Sequence, residues 1–147
     1  MSEAMPATLP AAVRAAISGG RTCFVATASG DAVPNVIPVS WIVAVDDLTI
    51  RVALYRGHQT TANIRANGRV SISVMAPGVA STIQGTARVV KESLDADADD
   101  VLVEVTVTQV QENAGGALII DDGPSYSWAI DDGPDREERV IEELSGK

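Results

Sequence analysis

The residues that could do chemistry gather in one short polar segment. It contains hydroxyls, amides, a guanidinium and the only histidine: Arg56, His58, Gln59, Thr60, Thr61 and Asn63. The pattern predicts the start of a short helix, which Thr60 or Thr61 could cap and which Asn67-Gly68 ends. The first N–H groups of a helix lack helical partners and carry partial positive charge. The segment therefore predicts a site for a phosphate.

The same segment also has a purely structural interpretation. Most helix starts with this pattern cap a helix and bind nothing. His58 fits a phosphate or surface position better than an acid–base role, and no Ser-His-Asp order or pair of carboxylates accompanies it. Cys23 lies in an apolar segment and fits a small core filler. The rest of the sequence is needed to choose between a phosphate site and ordinary helix capping.

Composition excludes several classes of protein. With 147 residues we expect a single domain, and with one cysteine we expect no disulfide and no Cys/His zinc site. Up to Lys91 there are eight basic and four acidic residues, whereas from Glu92 onward sixteen acids face three bases. This acidity argues against nucleic acid as a partner. No apolar run could span a membrane and no signal peptide is evident, so we expect a cytoplasmic protein.

Hydrophobic periodicity predicts a mainly β fold with a few short helices. A helix opens at Thr8-Leu9-Pro10, and strands follow over residues 22–27, 48–54, 70–74, 81–90 and 101–111. Residues 32–45 are extended but contain Pro34 and Pro38, which predicts an edge, a bulge or a bend. Short connections favour six or seven antiparallel strands in a barrel over a parallel sheet.

The C-terminal region adds two further elements. Two Asp-Asp-Gly-Pro turns bracket residues 125–130, which predicts a strand between them. Residues 135–144 predict a short helix with early acids and a modest apolar stripe.

The order of these segments resembles the pyridoxamine-phosphate-oxidase-like flavin-binding split barrels, small dimeric proteins that hold FMN at the subunit interface. The similarity covers roughly residues 9–92. The matching motifs are residues 24–27, 29–34, 36–41, 60–72 and 83–89. The resemblance implies a six- to seven-stranded antiparallel split β-barrel, FMN as cofactor and a homodimer.

The resemblance also implies positions for the cofactor. Arg56, His58, Gln59, Thr60, Thr61 and Asn63 match the positions that hold the FMN phosphate. The family positions beside the flavin ring correspond to Pro38, Val39, Ser40 and Trp41. Gln84 corresponds to a glutamine that the family often has close to the ring. Thr60 stands where the family often has lysine, which leaves Arg56 and the backbone to balance the phosphate. Trp41 and Trp128 either pack in a core or dimer interface or form a wall of the pocket.

Three functions remain open at this point. The first is an FMN-dependent oxidoreductase or flavin reductase that acts on a small molecule, with the flavin supplying the chemistry and no catalytic residue assigned. The second is a deazaflavin-dependent reductase, whose long anionic cofactor would favour a wider basic groove. The third is a non-catalytic flavin-storage, haem-handling or stress-related protein. We favour the first, with a small-molecule substrate or reductant as the further partner.

Overall fold

The computed structural model describes residues 7–146. Within them the fold is mainly β, with seven antiparallel strands in a curled half-barrel and three short helices. This confirms the predicted fold class. The elements in chain order are α1 (Ala11–Ala16), β1 (Cys23–Ala28), β2 (Pro34–Val39), β3 (Ile42–Ala44), β4 (Thr49–Tyr55), α2 (Gln59–Asn67), β5 (Arg69–Ala76), β6 (Val79–Lys91), β7 (Asp100–Glu112) and α3 (Gly133–Leu144).

The strands form one sheet in the order β2-β1-β5-β6-β7-β4-β3. The two long strands β6 and β7, thirteen residues each, form its centre. A register shift between Gln84 and Gly85 marks a bulge in β6. A Cβ at Gly85 would lie 2.7 Å from the carbonyl oxygen of Thr106. β7 therefore approaches the β6 backbone closely at this glycine.

The concave side of the sheet carries the main core. β5 alternates between buried Val70, Ile72 and Val74 and more exposed neighbours, as expected for a strand with one buried face. Cys23 belongs to the same core, and burial raises the pKa of its thiol to about 11. This confirms the prediction that Cys23 is a small apolar filler, since such a thiol is inert at neutral pH.

The proline-containing run is divided into two strands by a bend at Ser40 and Trp41. β2 is an end strand of the sheet. Pro34 and Pro38 lack backbone N–H groups, and an end strand tolerates this because it has no further strand to bond on its outer side. β3 lies at the other end and pairs with Ile50, Arg51 and Val52 of β4. The prediction of an edge or bend is confirmed, and the bend places the two ends of the sheet side by side.

The prediction of a strand over residues 125–130 is wrong, because the structure has no helix or strand between residues 113 and 132. The alternation of Tyr126 and Trp128 reflects two rings that face a cavity and α3, and not one face of a sheet. The segment is instead held where it crosses the sheet. The Gly78 N–H donates to the carbonyl of Ile120 at 2.8 Å, and Gly123 packs directly on the Met75 carbonyl.

The predicted C-terminal helix is confirmed and begins two residues earlier, at Gly133. Val140 and Leu144 of α3 pack in a second core cluster with Leu94 and Leu102. The Glu143 carboxylate accepts hydrogen bonds from Lys91 Nζ and from the backbone N–H groups of residues 95 and 96, all at 2.8–2.9 Å. α3 thereby fixes the connection between β6 and β7.

Two kinds of feature are absent from residues 7–146. None of their helices is long and apolar enough to cross a membrane. Nor do these residues bring three or more His, Cys, Asp or Glu side chains together in a group that could hold a metal ion.

Candidate functional site

A cavity of about 370 Å³ lies where the two ends of the sheet face each other. It exists because β3 is only three residues long and leaves the last residues of β4 uncovered on that side. One wall is formed by residues 37–41 and the other by residues 53–55. Pro38, Val39, Ser40 and Trp41 therefore all line one cavity, as does His58.

His58 connects this cavity to the start of α2. It is the N-cap residue, with extended φ and ψ of −71° and 147°, and no side-chain cap hydrogen bond is present among the described residues. The predicted capping by Thr60 or Thr61 is thus wrong. The His58 ring packs edge-on against the Tyr55 ring, with centroids 5.3 Å apart. The first turn of α2 therefore begins beside the cavity, and no capping side chain in the described part of the chain bonds to its first N–H groups.

The two threonines are fully buried and use their hydroxyls to hold α2 in place. Thr60 Oγ1 accepts a hydrogen bond from Asn35 Nδ2 at 2.9 Å, which ties the helix to β2. Thr61 Oγ1 donates to the carbonyl of Tyr55 at 2.8 Å, which ties it to β4. Once side chains have these internal partners, their burial costs little. The threonines therefore fix the position of the helix start through bonds to the barrel strands.

Asn63 has the same structural role, a turn further along the helix. It is 2% exposed, and its Nδ2 donates to Thr27 Oγ1 of β1 at 3.0 Å. Its Oδ1 accepts from Gln59 Nε2 at 2.8 Å, so the exposed Gln59 side chain lies along the helix. Gly68, with φ of 70°, then ends the helix as predicted. Four of the predicted phosphate residues thus share α2 but belong to its scaffold as well.

Arg56 lies at the far end of β4, where the chain turns towards α2. Its Nη2 donates to the carbonyls of Glu92 and Ala98, both at 2.8 Å. Its backbone N–H donates to the Asp99 carbonyl at 3.0 Å. These bonds hold the connection between β6 and β7 against the helix start. Arg56 is not part of the cavity lining, but its positive charge acts on the cavity residue Asp100.

Asp100 is a cavity residue that sequence reasoning missed. It opens β7 and pairs with Tyr55 across the ladder. Burial raises the pKa of its carboxyl to about 6, the neighbouring Asp97 adds to the rise, and His58 opposes it. In the sequence Asp100 is one acid of a polar connection. Only its pairing with Tyr55, far away in the chain, could have indicated its position.

The third wall of the cavity comes from the C-terminal region of the chain. Tyr126 and Trp128 both line it, and their rings are perpendicular with centroids 5.9 Å apart. The Tyr126 hydroxyl donates to the Glu137 carboxylate of α3, and burial together with this bond raises the pKa of Tyr126. Trp41 and Trp128 both line the cavity, and Trp41 also packs against the second core cluster, so for Trp41 the core and the pocket interpretations both apply.

Gln84 does not line this cavity. It lies on the outer face of the sheet, in a separate depression of about 350 Å³. Ala26, Thr27, Ser71 and Thr108 are among its other lining residues. Within one chain, the structure therefore brings His58 and residues 38–41 together and leaves Gln84 apart.

The cavity offers what a flavin mononucleotide needs at both of its ends. The lining offers a flat ring system two aromatic side chains, Trp41 and Trp128, beside apolar residues of β2, and such rings stack well on aromatic side chains. The start of α2 offers N–H groups to a phosphate beside the N-cap residue His58, two residues after Arg56, whose guanidinium bonds to the Glu92 and Ala98 carbonyls. Asp100 is the one cavity group whose charge opposes a phosphate. The residues thus fit the group, with one unfavourable carboxylate.

Comparison with known families identifies the class of protein. The sequence model of the family described as pyridoxamine 5'-phosphate oxidase matches residues 9–129. The match covers most of the chain and includes every residue of the cavity lining. The chain therefore belongs to the pyridoxamine 5'-phosphate oxidase family, which confirms the resemblance noted in the sequence.

Solved structures share the fold at low sequence identity. A putative pyridoxamine 5'-phosphate oxidase from Lactobacillus delbrueckii is 16% identical, with a TM-score of 0.63 over 72% of this chain and 95% of its own. An F420 reductase is 21% identical, with a TM-score of 0.60 over 70% and 98%. An FMN-binding protein from Syntrophomonas wolfei is 12% identical, with a TM-score of 0.53 over 63% and 76%. No curated protein matches the sequence.

Proposed function

We propose that this chain is a single FMN-binding split-barrel domain and acts as an oxidoreductase or flavin reductase on a small molecule. The observation that carries the proposal is the cavity itself. It joins residues 38–41, His58 and Trp128 beside the start of α2, in a member of a family that commonly binds flavin.

The roles of the residues follow from where they lie. Trp41 and the apolar residues of β2 would contact the ring, and the Ser40 hydroxyl, 2.9 Å from Thr22 Oγ1, would fix the bend beside it. The first N–H groups of α2, with His58 and Arg56, would bind the phosphate. Thr60, Thr61 and Asn63 would act behind them by fixing the helix. When bound, FMN supplies the hydride or electron transfer, and the chain supplies position and polarity.

Charge favours FMN over a deazaflavin with a long anionic tail. Among the described residues, the cavity lining contains the carboxyl of Asp100 and one basic side chain, His58, and Arg56 lies outside the lining. A longer polyanion would meet the acidic connection over residues 92–100. Each additional negative charge on the ligand would be repelled there, so FMN is the better fit.

A homodimer with the cofactor at the interface belongs to the same proposal. Apart from Arg69 and Gln84 itself, the depression around Gln84 is lined by small and medium-sized side chains, which allow close packing of a second copy. β2 also presents one edge without a neighbouring strand in the described sheet. In such a dimer Gln84 would approach the partner's cavity and not its own.

The first experiment is a visible spectrum of the protein after incubation with FMN and desalting. We expect a retained flavin band near one FMN per subunit, together with a dimer mass by light scattering. Retention of a haem or deazaflavin spectrum in protein purified from cells would favour the corresponding alternative. A colourless protein that does not retain FMN would contradict the proposal.

A further inference from the structure

The segment from residue 119 to residue 130, which we call the strap, crosses the sheet without any regular secondary structure. It is nevertheless held at several points. Gly78 donates to Ile120 at 2.8 Å, and Arg21 forms an ion pair with Asp122 at 3.4 Å. A Cβ at Gly123 would lie 1.8 Å from the Met75 carbonyl oxygen, so only glycine fits there. The strap follows one defined path to the cavity.

The end of the strap is fixed by α3. The Tyr126 hydroxyl donates to Glu137, and the Trp128 ring lies directly on Gly133, the first residue of the helix. A Cβ at Gly133 would lie 2.2 Å from the ring atom Cε3 of Trp128. Gly133 itself lies outside the cavity lining. The rings of Tyr126 and Trp128 are thus held in one orientation from behind.

The chemistry of the strap suits a ring and not a phosphate. Residues 125–130 carry no charged side chain, and the nearest charged partner, Glu137, is acidic. A dianionic group would gain nothing from this wall. Perpendicular aromatic rings offer an apolar surface to a flat π-system, in a cavity whose lining also contains Trp41.

We propose that Tyr126 and Trp128 are specificity-determining residues that recognise the ring system of the flavin independently of its phosphate. The inference rests on the proposed function, because it takes FMN as the ligand of the cavity. It adds that selection of the ligand is divided between two regions of the chain. The strap selects the ring, and the start of α2 selects the phosphate.

The test compares FMN with riboflavin, which has the same ring system and no phosphate. Trp128→Ala should weaken the binding of both by about tenfold, because it removes a stacking surface from the shared ring. Trp128→Phe should keep both affinities within about threefold of the wild type, since it keeps a ring at the position. Trp128→Leu retains apolar volume and provides a second measurement if the alanine variant does not fold.

Gly133→Ala offers a matched variant outside the cavity. Its methyl group would displace the Trp128 ring without removing it, so both affinities should again fall together. Flavin affinity unchanged in Trp128→Ala and Trp128→Leu would overturn the inference while the proposed function stands. A loss confined to FMN would also overturn it, because the strap would then act on the phosphate. If the wild type binds neither flavin, the proposed function fails and the inference with it.

Discussion

The start of α2 and the bend between β2 and β3 both match the sequence pattern of a flavin site, but their side chains have different surroundings. At the helix, Thr60, Thr61 and Asn63 are at most 2% exposed, and their side chains bond to β2, β4 and β1. At the bend, Ser40 and Trp41 face a cavity. The Ser40 hydroxyl is also held internally, 2.9 Å from Thr22 Oγ1, so the difference between the regions is that the bend lines the cavity while the three helix residues do not.

The comparison shows why residue type alone does not identify a ligand site. A buried hydroxyl or amide needs a hydrogen-bond partner, and inside a small barrel that partner is most easily another strand. His58 differs from Thr60, Thr61 and Asn63 because its side chain is exposed and lines the cavity. Changes on the two sides should therefore separate into losses of stability and losses of ligand binding.

The largest effect is expected at Asn63, on the scaffold side. Asn63→Leu removes the bonds to Thr27 and Gln59 and leaves the buried Thr27 hydroxyl without its donor. We expect the free energy of unfolding to fall by about 2–3 kcal/mol, measured by urea denaturation. Ala66→Gln, at an exposed position of the same helix, should change it by less than about 0.5 kcal/mol. A variant of normal stability that has lost FMN would place Asn63 in the site instead.

The next effect is expected at His58, on the ligand side. Its side chain makes no capping bond, so His58→Ala should leave the thermal midpoint nearly unchanged. FMN affinity should fall about tenfold, because one donor to the phosphate is lost, whereas riboflavin affinity should not change. Isothermal titration with both ligands measures the difference. Thr60→Val is the matched control, since it should lower stability and leave the ratio of the two affinities intact.

Asp100 tests the electrostatics between the two regions. Its pKa is raised to about 6 in the folded protein, so the folded state disfavours the ionised form. The resulting contribution to stability is complete below the unfolded pKa of about 4 and is lost as the pH rises towards 6. Asp100→Asn should therefore gain about 1 kcal/mol above pH 6, a value reduced because the carboxyl is only half-buried. Chemical denaturation between pH 4 and pH 8 measures it.

The same variant has a second readout in binding. An ionised Asp100 opposes a phosphate, so the FMN affinity of the wild type should fall as the pH rises through 6, and Asp100→Asn should flatten that dependence. Riboflavin binding should show no such difference between the two proteins. Identical pH profiles for FMN would mean that the phosphate lies away from Asp100.

How far the sequence could predict this site depends on the range of the interactions involved. Pro34 and Pro38 predict an edge strand because a missing N–H is a local property, and Gly68 predicts a helix end for a similar reason. Whether the Thr60 or the His58 side chain turns towards the barrel depends on which face of α2 packs on the sheet. The pairing of Tyr55 with Asp100, and the return of Trp128 to Trp41, are set by distant contacts that no local pattern encodes.

The smallest effect is expected at Gln84, which lies on neither side of the comparison within one chain. If the cofactor lies at a dimer interface, this side chain approaches the partner's cavity and offers one hydrogen bond to the ring. Gln84→Ala should then weaken FMN by about twofold, the lower range for a single neutral hydrogen bond. The loss should appear only at protein concentrations at which light scattering shows a dimer. A loss of the same size in a monomeric sample would contradict the interface, because within one chain Gln84 lines a different depression from the proposed cofactor cavity.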